Sequence, residues 1–280
     1  MKALMTIDVE DWFHTQNYSD CISKSSWDSQ TSIVERNTET ILSILEENNT
    51  KGTFFVLGWV AERHPQLVKK IYNEGHEIAS HGYGHDLIYG LTPKQFYEDV
   101  SKSKKILEDL IGAKVDGYRA PNFSITDWAI DILEELDFSY DSSWFPTVLH
   151  DRYGKLSSEK VQDSNFFELG KTLDEVSLST LRLFNTNLPW AGGAYFRFIP
   201  YPLFKLGIKR ILRREKFFNF YIHPWEFDPR QPDSLGMKKV NRIRQYTNTK
   251  FVKNRFSKMV KSFHFISVRE FIQQEKGGKE

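Results

Sequence analysis

Ala3-Leu4-Met5-Thr6-Ile7-Asp8-Val9-Glu10-Asp11 is an apolar run that ends in three carboxylates within four residues. It reads as a buried strand, because parallel strands covered on both faces are almost continuously apolar. The same pattern recurs along the chain. His81 and His85 follow Ile78-Ala79-Ser80, Arg119 follows Val115 to Tyr118, Asp141 follows Phe138-Ser139-Tyr140, and His223 follows Phe220-Tyr221-Ile222. In a parallel barrel all of these positions lie on the C-terminal face, where side chains from separate strands meet.

Working outward, strand-like runs occur at Ala3 to Ile7, Thr53 to Leu57, Glu77 to Ser80, Lys114 to Tyr118, Phe138 to Tyr140, Phe166 to Leu169, Phe218 to Ile222 and Phe263 to Val268. Between them, Ile33, Val34, Asn37, Ile41, Ile44 and Leu45 keep helical spacing. Thr92-Pro93 opens a helix carrying Phe96, Val100, Leu107 and Leu110, and Ser124 with Asp127 resembles a capping box before Trp128 and Ile132. This alternation predicts an α/β barrel or an open doubly wound sheet, and no Gly-x-Gly-x-x-Gly follows a strand to favour a dinucleotide site. Without repeats, low-complexity tracts or a proline-rich linker, residues 1–280 read as a single domain, with the helix and strand of 240–272 completing the barrel.

With 38 Lys and Arg against 37 Asp and Glu, the net charge is +1, so no global excess draws the chain to nucleic acid. Cys21 is the only cysteine, which excludes an intramolecular disulfide and a cysteine-rich zinc site. Any metal must be held by histidines and carboxylates. No apolar run reaches the ~18 residues that span a bilayer, and the short apolar start lacks a signal-peptide core, so a cytoplasmic location is expected.

The spacing His81-x-x-x-His85 offers two imidazoles to one cation, with Gly82 and Gly84 loosening the backbone and Ser80 placed to cap the turn. The acidic cluster at Asp8, Glu10 and Asp11 reads either as a solvated turn or as carboxylates compensated by a cation or an arginine. His223, at a hydrophobic strand end, fits proton transfer as well as packing. Asp141 either orients an imidazole or caps its turn. His76 reads as structural, His14 as part of a partly exposed loop and His64 as a helix end.

In order, Thr-Ile-Asp-Val-Glu-Asp, Ser-His-Gly-Tyr-Gly-His, Tyr-Arg-Ala-Pro-Asn, Asp-Ser-Ser-Trp and Tyr-Ile-His-Pro resemble the motifs of the polysaccharide deacetylases, carbohydrate esterase family 4, over residues 3–225. The resemblance implies a distorted (β/α)7 barrel, a divalent metal that is usually zinc, and hydrolysis of the N-acetyl group of an amino sugar or glycan. It makes Asp8 the general base, Arg119 its holder, His223 the general acid, and His81 with His85 metal ligands. Val9 replaces the family's second aspartate, so the carboxylate ligand is Glu10, preferred on Asp-x-Asp spacing, or Asp11. Asn122 stands where a tyrosine is usual and is expected to offer its backbone N–H to an oxyanion. Trp144 and Tyr195 are expected at the substrate. Glu10 to His14 and Gly192 to Arg197 look like the branch found with exopolysaccharide and envelope-glycan loci. Rival readings are a metal-independent hydrolase of cyclic amides or ureides and an inactive glycan-binding barrel.

In the second half, Lys205, Lys209 and Arg213 flank an apolar stripe of Phe204, Ile208, Ile211 and Leu212. This is either a barrel helix with a solvated basic face or a peripheral membrane contact on the inner surface.

Overall fold

Lys2–Val9 forms strand β1, buried from Ala3 onward as its apolar sequence requires. The computed structural model describes residues 2–147, 153–157, 159–161, 164–184, 186–215, 217–232 and 236–277. After β1 come α1 (Val34–Glu46), β2 (Thr53–Val56), α2 (Gly58–Arg63), α3 (Pro65–Asn73), β3 (Glu77–Ser80), α4 (Pro93–Ile111), β4 (Gly117–Tyr118), α5 (Asp127–Glu135) and β5 (Tyr140–Asp141). The second half supplies β6 (Phe166–Glu168), β7 (Asp174–Val176), β8 (Thr180–Leu183), β9 (Thr186–Pro189), α6 (Gly193–Phe198), α7 (Tyr201–Glu215), β10 (Phe217–Ile222), α8 (Lys239–Tyr246), α9 (Val252–Ser262), β11 (Phe265–Ile266) and α10 (Val268–Gly277).

Local chemistry sets the helix ends. At the start of α4, Gln95 N donates to Thr92 Oγ1 at 3.3 Å while Thr92 N donates to Gln95 Oε1 at 2.9 Å, and Pro93 occupies the first turn. The corresponding box expected at Ser124 and Asp127 does not form. Helix α5 starts after Thr126, and Ser124 Oγ instead donates to Pro121 O at 2.7 Å and accepts from Ile88 N at 2.9 Å.

The main sheet runs β10-β1-β2-β3-β4-β5-β7-β6, parallel except for β6, which lies antiparallel on β7. β10 takes one edge of β1 from Lys2 to Ile7. The other edge is therefore shared, with β11 opposite Ala3 and Leu4 and β2 opposite Thr6 to Val9. Strands β10, β1, β2, β3, β4, β5 and β7 make the parallel wall of the expected barrel. Its seam is closed by a side chain: Asn219 Nδ2 on β10 donates to Val176 O and Ser142 Oγ at 3.1 Å and to Ser177 O at 3.2 Å. A polar side chain in place of a ladder is the distortion of this barrel.

Two expectations change. Phe166 to Leu169 is an antiparallel edge strand, and the parallel place beside β5 belongs to Asp174–Val176, whose two acidic residues disguise a fully buried strand. In α7, Phe204, Ile208, Ile211 and Leu212 are buried in the core, so that stripe packs the barrel and is closed to a bilayer. No helix among the described residues is long and apolar enough to cross a membrane.

The register aligns Val9 with Val56, Val56 with Ser80, Ser80 with Tyr118 and Tyr118 with Asp141, while Ile7 faces Ile222. Glu10, His81, Arg119, Ser142 and His223 consequently leave the sheet at one rim.

Candidate active site

Side chains alternate along a strand, so Thr6 and Asp8 share one side of β1 and Glu10 continues that parity. Arg119 reaches both strand residues: one terminal nitrogen donates to Asp8 Oδ1 at 2.7 Å and to Thr6 Oγ1 at 2.8 Å. Its Nε donates to Ser142 O and its other terminal nitrogen to Ser142 Oγ, each at 2.9 Å. The guanidinium is fully buried, and these acceptors with the Asp8 charge compensate its desolvation. Asp11 falls on the opposite parity. Its carboxylate accepts from Trp12 N at 2.9 Å, Ile33 N at 3.0 Å, Val34 N at 3.2 Å and Ser32 Oγ at 2.6 Å, fastening the loop to the start of α1. Asp11, a candidate ligand on sequence, is thus a capping residue outside the ligand group. His14, buried among Phe13, Trp27 and Trp59, completes that loop by accepting from Asp11 N at 2.8 Å.

The histidine pair sits in an irregular loop after β3, not on one helical turn. Gly82 has φ 71°, its N–H donates to Ser80 Oγ at 3.2 Å, and a Cβ there would stand 2.8 Å from Asp99 Oδ2. Asp99, on α4, accepts from Tyr83 N at 2.7 Å and Gly84 N at 2.8 Å. His85 is held at φ 54°, unusual for a residue with a Cβ. Together these contacts bring the two imidazole centroids to 5.4 Å.

One ligand atom each from Glu10, His81 and His85 lies within 4.8 Å of the others, and all three residues are buried. His81 Nδ1 is 2.8 Å from Arg119 O, which can only accept, so that nitrogen carries the proton and Nε2 keeps its lone pair. Burial, opposed in part by Asp8 and Glu10, pushes His81 down to about 4, which leaves it neutral at pH 7. Glu10 Oε1 accepts from Trp225 Nε1 at 3.1 Å. Oε2 is buried without a hydrogen-bond donor although His85 Nε2 is 2.5 Å away. Burial opposes ionisation of Glu10, but His85, His223 and His81 outweigh it and hold the carboxyl well below its ordinary range. Two imidazole nitrogens and an orphaned carboxylate oxygen turned to one point form a donor set that fits a divalent cation.

His223 leaves β10 with Nε2 3.9 Å from Asp8 Oδ2 and 3.7 Å from Glu10 Oε1. Its Nδ1 pairs with Glu226 Oε1 at 2.9 Å, and Glu226 Oε2 accepts from Arg197 Nε at 2.6 Å. Burial would depress His223, but the Glu226 hydrogen bond and the charges of Glu10, Glu226 and Asp8 prevail and push it up to about 9. Gly193 is required here, because a Cβ would collide with the Glu226 carboxyl. Glu226 was not singled out from sequence, although His223-Pro-Trp-Glu226 after a strand is a readable capping signal; Arg197 lay unassigned in the Gly192 to Arg197 stretch. Asp141 does not orient the imidazole. It accepts from Ser143 Oγ at 2.6 Å and pairs with the buried Glu175.

These groups open into a cavity of about 340 Å³. Asn122 and Tyr195 line it; Asn122 has φ 51°, and its Nδ2 is buried without an acceptor. Trp144, expected at the substrate, does not line the cavity. Its backbone N–H donates to Glu175 Oε1 at 3.0 Å and its ring packs on the core.

Residues 22–140 match the family described as polysaccharide deacetylase, and residues 142–273 match a domain of unknown function (DUF3473). The chain is 32% identical over 120 residues to a peptidoglycan-N-acetylglucosamine deacetylase of Bacillus cereus, covering 38% of this chain and 44% of that protein. It is 30% identical over 103 residues to a peptidoglycan deacetylase of Helicobacter pylori, covering 37% and 35%. The matched segment therefore spans less than half of either relative. Among solved structures, a putative polysaccharide deacetylase from Mycobacterium smegmatis superposes with TM-score 0.63 at 17% identity, covering 99% of this chain and 91% of that one. A CE4 family pseudoenzyme from Bacillus anthracis gives TM-score 0.52 at 13% identity, covering 96% and 64%. The fold likeness runs nearly end to end, while the likeness to the polysaccharide deacetylase family in sequence is confined to residues 22–140.

Proposed function

We propose that this protein is a metal-dependent N-deacetylase that hydrolyses the acetamide of an amino sugar and releases acetate. The observation that carries this reading is the convergence of Glu10, His81 and His85 with the Asp8–Arg119 pair and His223 on one cavity. The peptidoglycan and chitin deacetylases among its relatives support the same chemistry.

Amide hydrolysis needs a better nucleophile than neutral water and a protonated leaving nitrogen. A divalent cation, zinc on this donor set, would be held by Glu10, His81 and His85 and would supply Lewis acidity that lowers the pKa of water and polarises the acetamide carbonyl. Asp8, oriented by Arg119, accepts the proton of the attacking water as the oxygen–carbon bond forms. Asn122 faces the developing oxyanion, where one preorganised donor contributes about 3 kcal/mol. His223, kept protonated by Glu226, gives its proton to nitrogen as the carbon–nitrogen bond breaks, and Glu226 with Arg197 receives the resulting change in charge. An inactive glycan-binding barrel has no need of an acid and a base 3.9 Å apart in its cavity.

Metal analysis beside an acetate-release assay tests the assignment. Asp8→Asn and His223→Ala are expected to keep the metal and lose about 100-fold or more in turnover. His81→Ala, His85→Ala and Glu10→Ala are expected to lose metal and activity together. A fully active His81→Ala protein would refute the ligand set. A cytoplasmic or inner-membrane-surface station acting on glycan precursors is part of the proposal; exposed Leu203 and Leu206 beside Lys209, Arg210 and Arg213 support only its membrane-surface form. Salt-sensitive sedimentation with acidic liposomes is the corresponding test.

A further inference from the structure

The cavity that holds the proposed reaction centre carries more positive charge than its own acids use. Its described carboxylates are all committed: Asp8 to Arg119, Glu10 to the proposed metal triad with His81 and His85, and Glu226 to Arg197 and His223. Arg197 is saturated as well, since beyond Glu226 its guanidinium donates to Thr247 O at 2.7 Å and Gln245 O at 3.3 Å. Arg244 is different. It stands on α8, lines the same cavity, is only partly buried, and among the described residues its guanidinium has no hydrogen bond and no ion pair.

Its surroundings are aromatic. The positive charge of Arg244 acts on the phenols of Tyr153 and Tyr195, both of which line the cavity, as does Phe198 at 42% exposed. Tyr153 is itself stacked on Phe145 with centroids at 4.9 Å. Rings of this kind suit the apolar faces of a sugar, whereas an unpaired guanidinium, with its planar fork of donors, suits an oxyanion. A neutral glycan would leave that fork unused.

Resting on the deacetylase reading, we infer that the substrate is an anionic N-acetylated sugar, whose phosphate or carboxylate is bound by Arg244 while its acetamide lies at Glu10, His81 and His85. The residue that selects the substrate thus comes from α8, within residues 142–273, and the first half of the chain supplies the two histidines.

The test compares three N-acetylated probes: neutral N-acetylglucosamine oligomers, N-acetylglucosamine 1-phosphate, and N-acetylmuramic acid as the carboxylate. The quantity read is kcat/KM for acetate release with wild type, Arg244→Gln and Arg244→Lys, and with Lys239→Gln as an exposed control on the same helix. The expected result is a preference for one anionic probe, a fall of about tenfold or more in its ratio to the neutral probe in Arg244→Gln, carried by KM, and partial recovery in Arg244→Lys. Which anionic probe is preferred separates phosphate from carboxylate. An unchanged ratio in Arg244→Gln overturns the inference while leaving deacetylation intact. Calorimetric binding of the same probes to Asp8→Asn protein separates the two claims. Arg244-dependent binding without acetate release from any wild-type assay would uphold the anion subsite and defeat the reaction, and equal affinity for neutral and anionic probes would overturn the subsite.

Discussion

At the residue scale, buried ionisable groups fall into two kinds. Asp8, Arg119, Glu226 and Arg197 are charges matched to charges, and removal of one partner strands the other. Asp141 and Glu175 are acids facing each other. Burial raises Asp141 from 3.8 to about 6 and Glu175 well above its ordinary value, the proximity of the pair adding to the latter. The folded chain then keeps a proton that the unfolded chain releases, so this pair lowers stability as pH rises from about 4 through 6. Glu175→Gln should flatten that dependence, gaining stability relative to wild type at pH 7.5 compared with pH 4.5; urea unfolding of both proteins at the two pH values measures it, and equal differences would contradict the shared proton. The sequence made Asp8, Arg119, the two histidines and His223 legible because each stands at or just beyond the C-terminal end of a strand. It could not separate Glu10 from Asp11, since that depends on where β1 ends and which parity persists beyond it. Glu175 and Arg197 carried no local signal, because their partners lie on distant segments.

At the element scale, the metal-poised loop is shaped from outside. Asp99 on α4 accepts two backbone N–H groups of the 81–85 loop, and Gly82 leaves room for that carboxylate. Asp99→Ala frees both donors and is expected to weaken metal affinity about 10- to 100-fold while the ligands themselves remain, the range typical of groups that orient ligands. Competitive chelation with a zinc indicator measures it, and unchanged affinity would show that His81 and His85 are held by their own strand alone. Strand positions were readable wherever apolar runs were long, as at β1, β2, β3 and β10. β7 was hidden because Asp174 and Glu175 occupy buried places that a pattern of hydrophobicity assigns to a loop. The hairpin of β8 and β9 is absent from the strand-like runs, its alternation being interrupted by polar residues on an exposed face.

At the scale of the whole molecule, the two sequence-defined halves make one site. β10 pairs with β1 along six residues, Asn219 closes the seam to β7, and His223, Glu226, Arg197 and Trp225 all come from the second half. A chain ending at residue 141 would expose one whole edge of β1 and the apolar wall behind it, and it is expected to show no cooperative thermal transition by circular dichroism. A sharp transition in that fragment would mean that the first half folds alone. The barrel class was legible from strand and helix alternation, but the closure was not, because the Asn219 side chain and scattered bonds to the 177–192 segment replace a strand ladder there. The most direct measurement is an anomalous diffraction map at the zinc edge from crystals of the protein grown with zinc. The account predicts one strong peak ligated by Glu10, His81 and His85 beside Asp8 and His223; a peak ligated by Asp11, or none at those three residues, would contradict it.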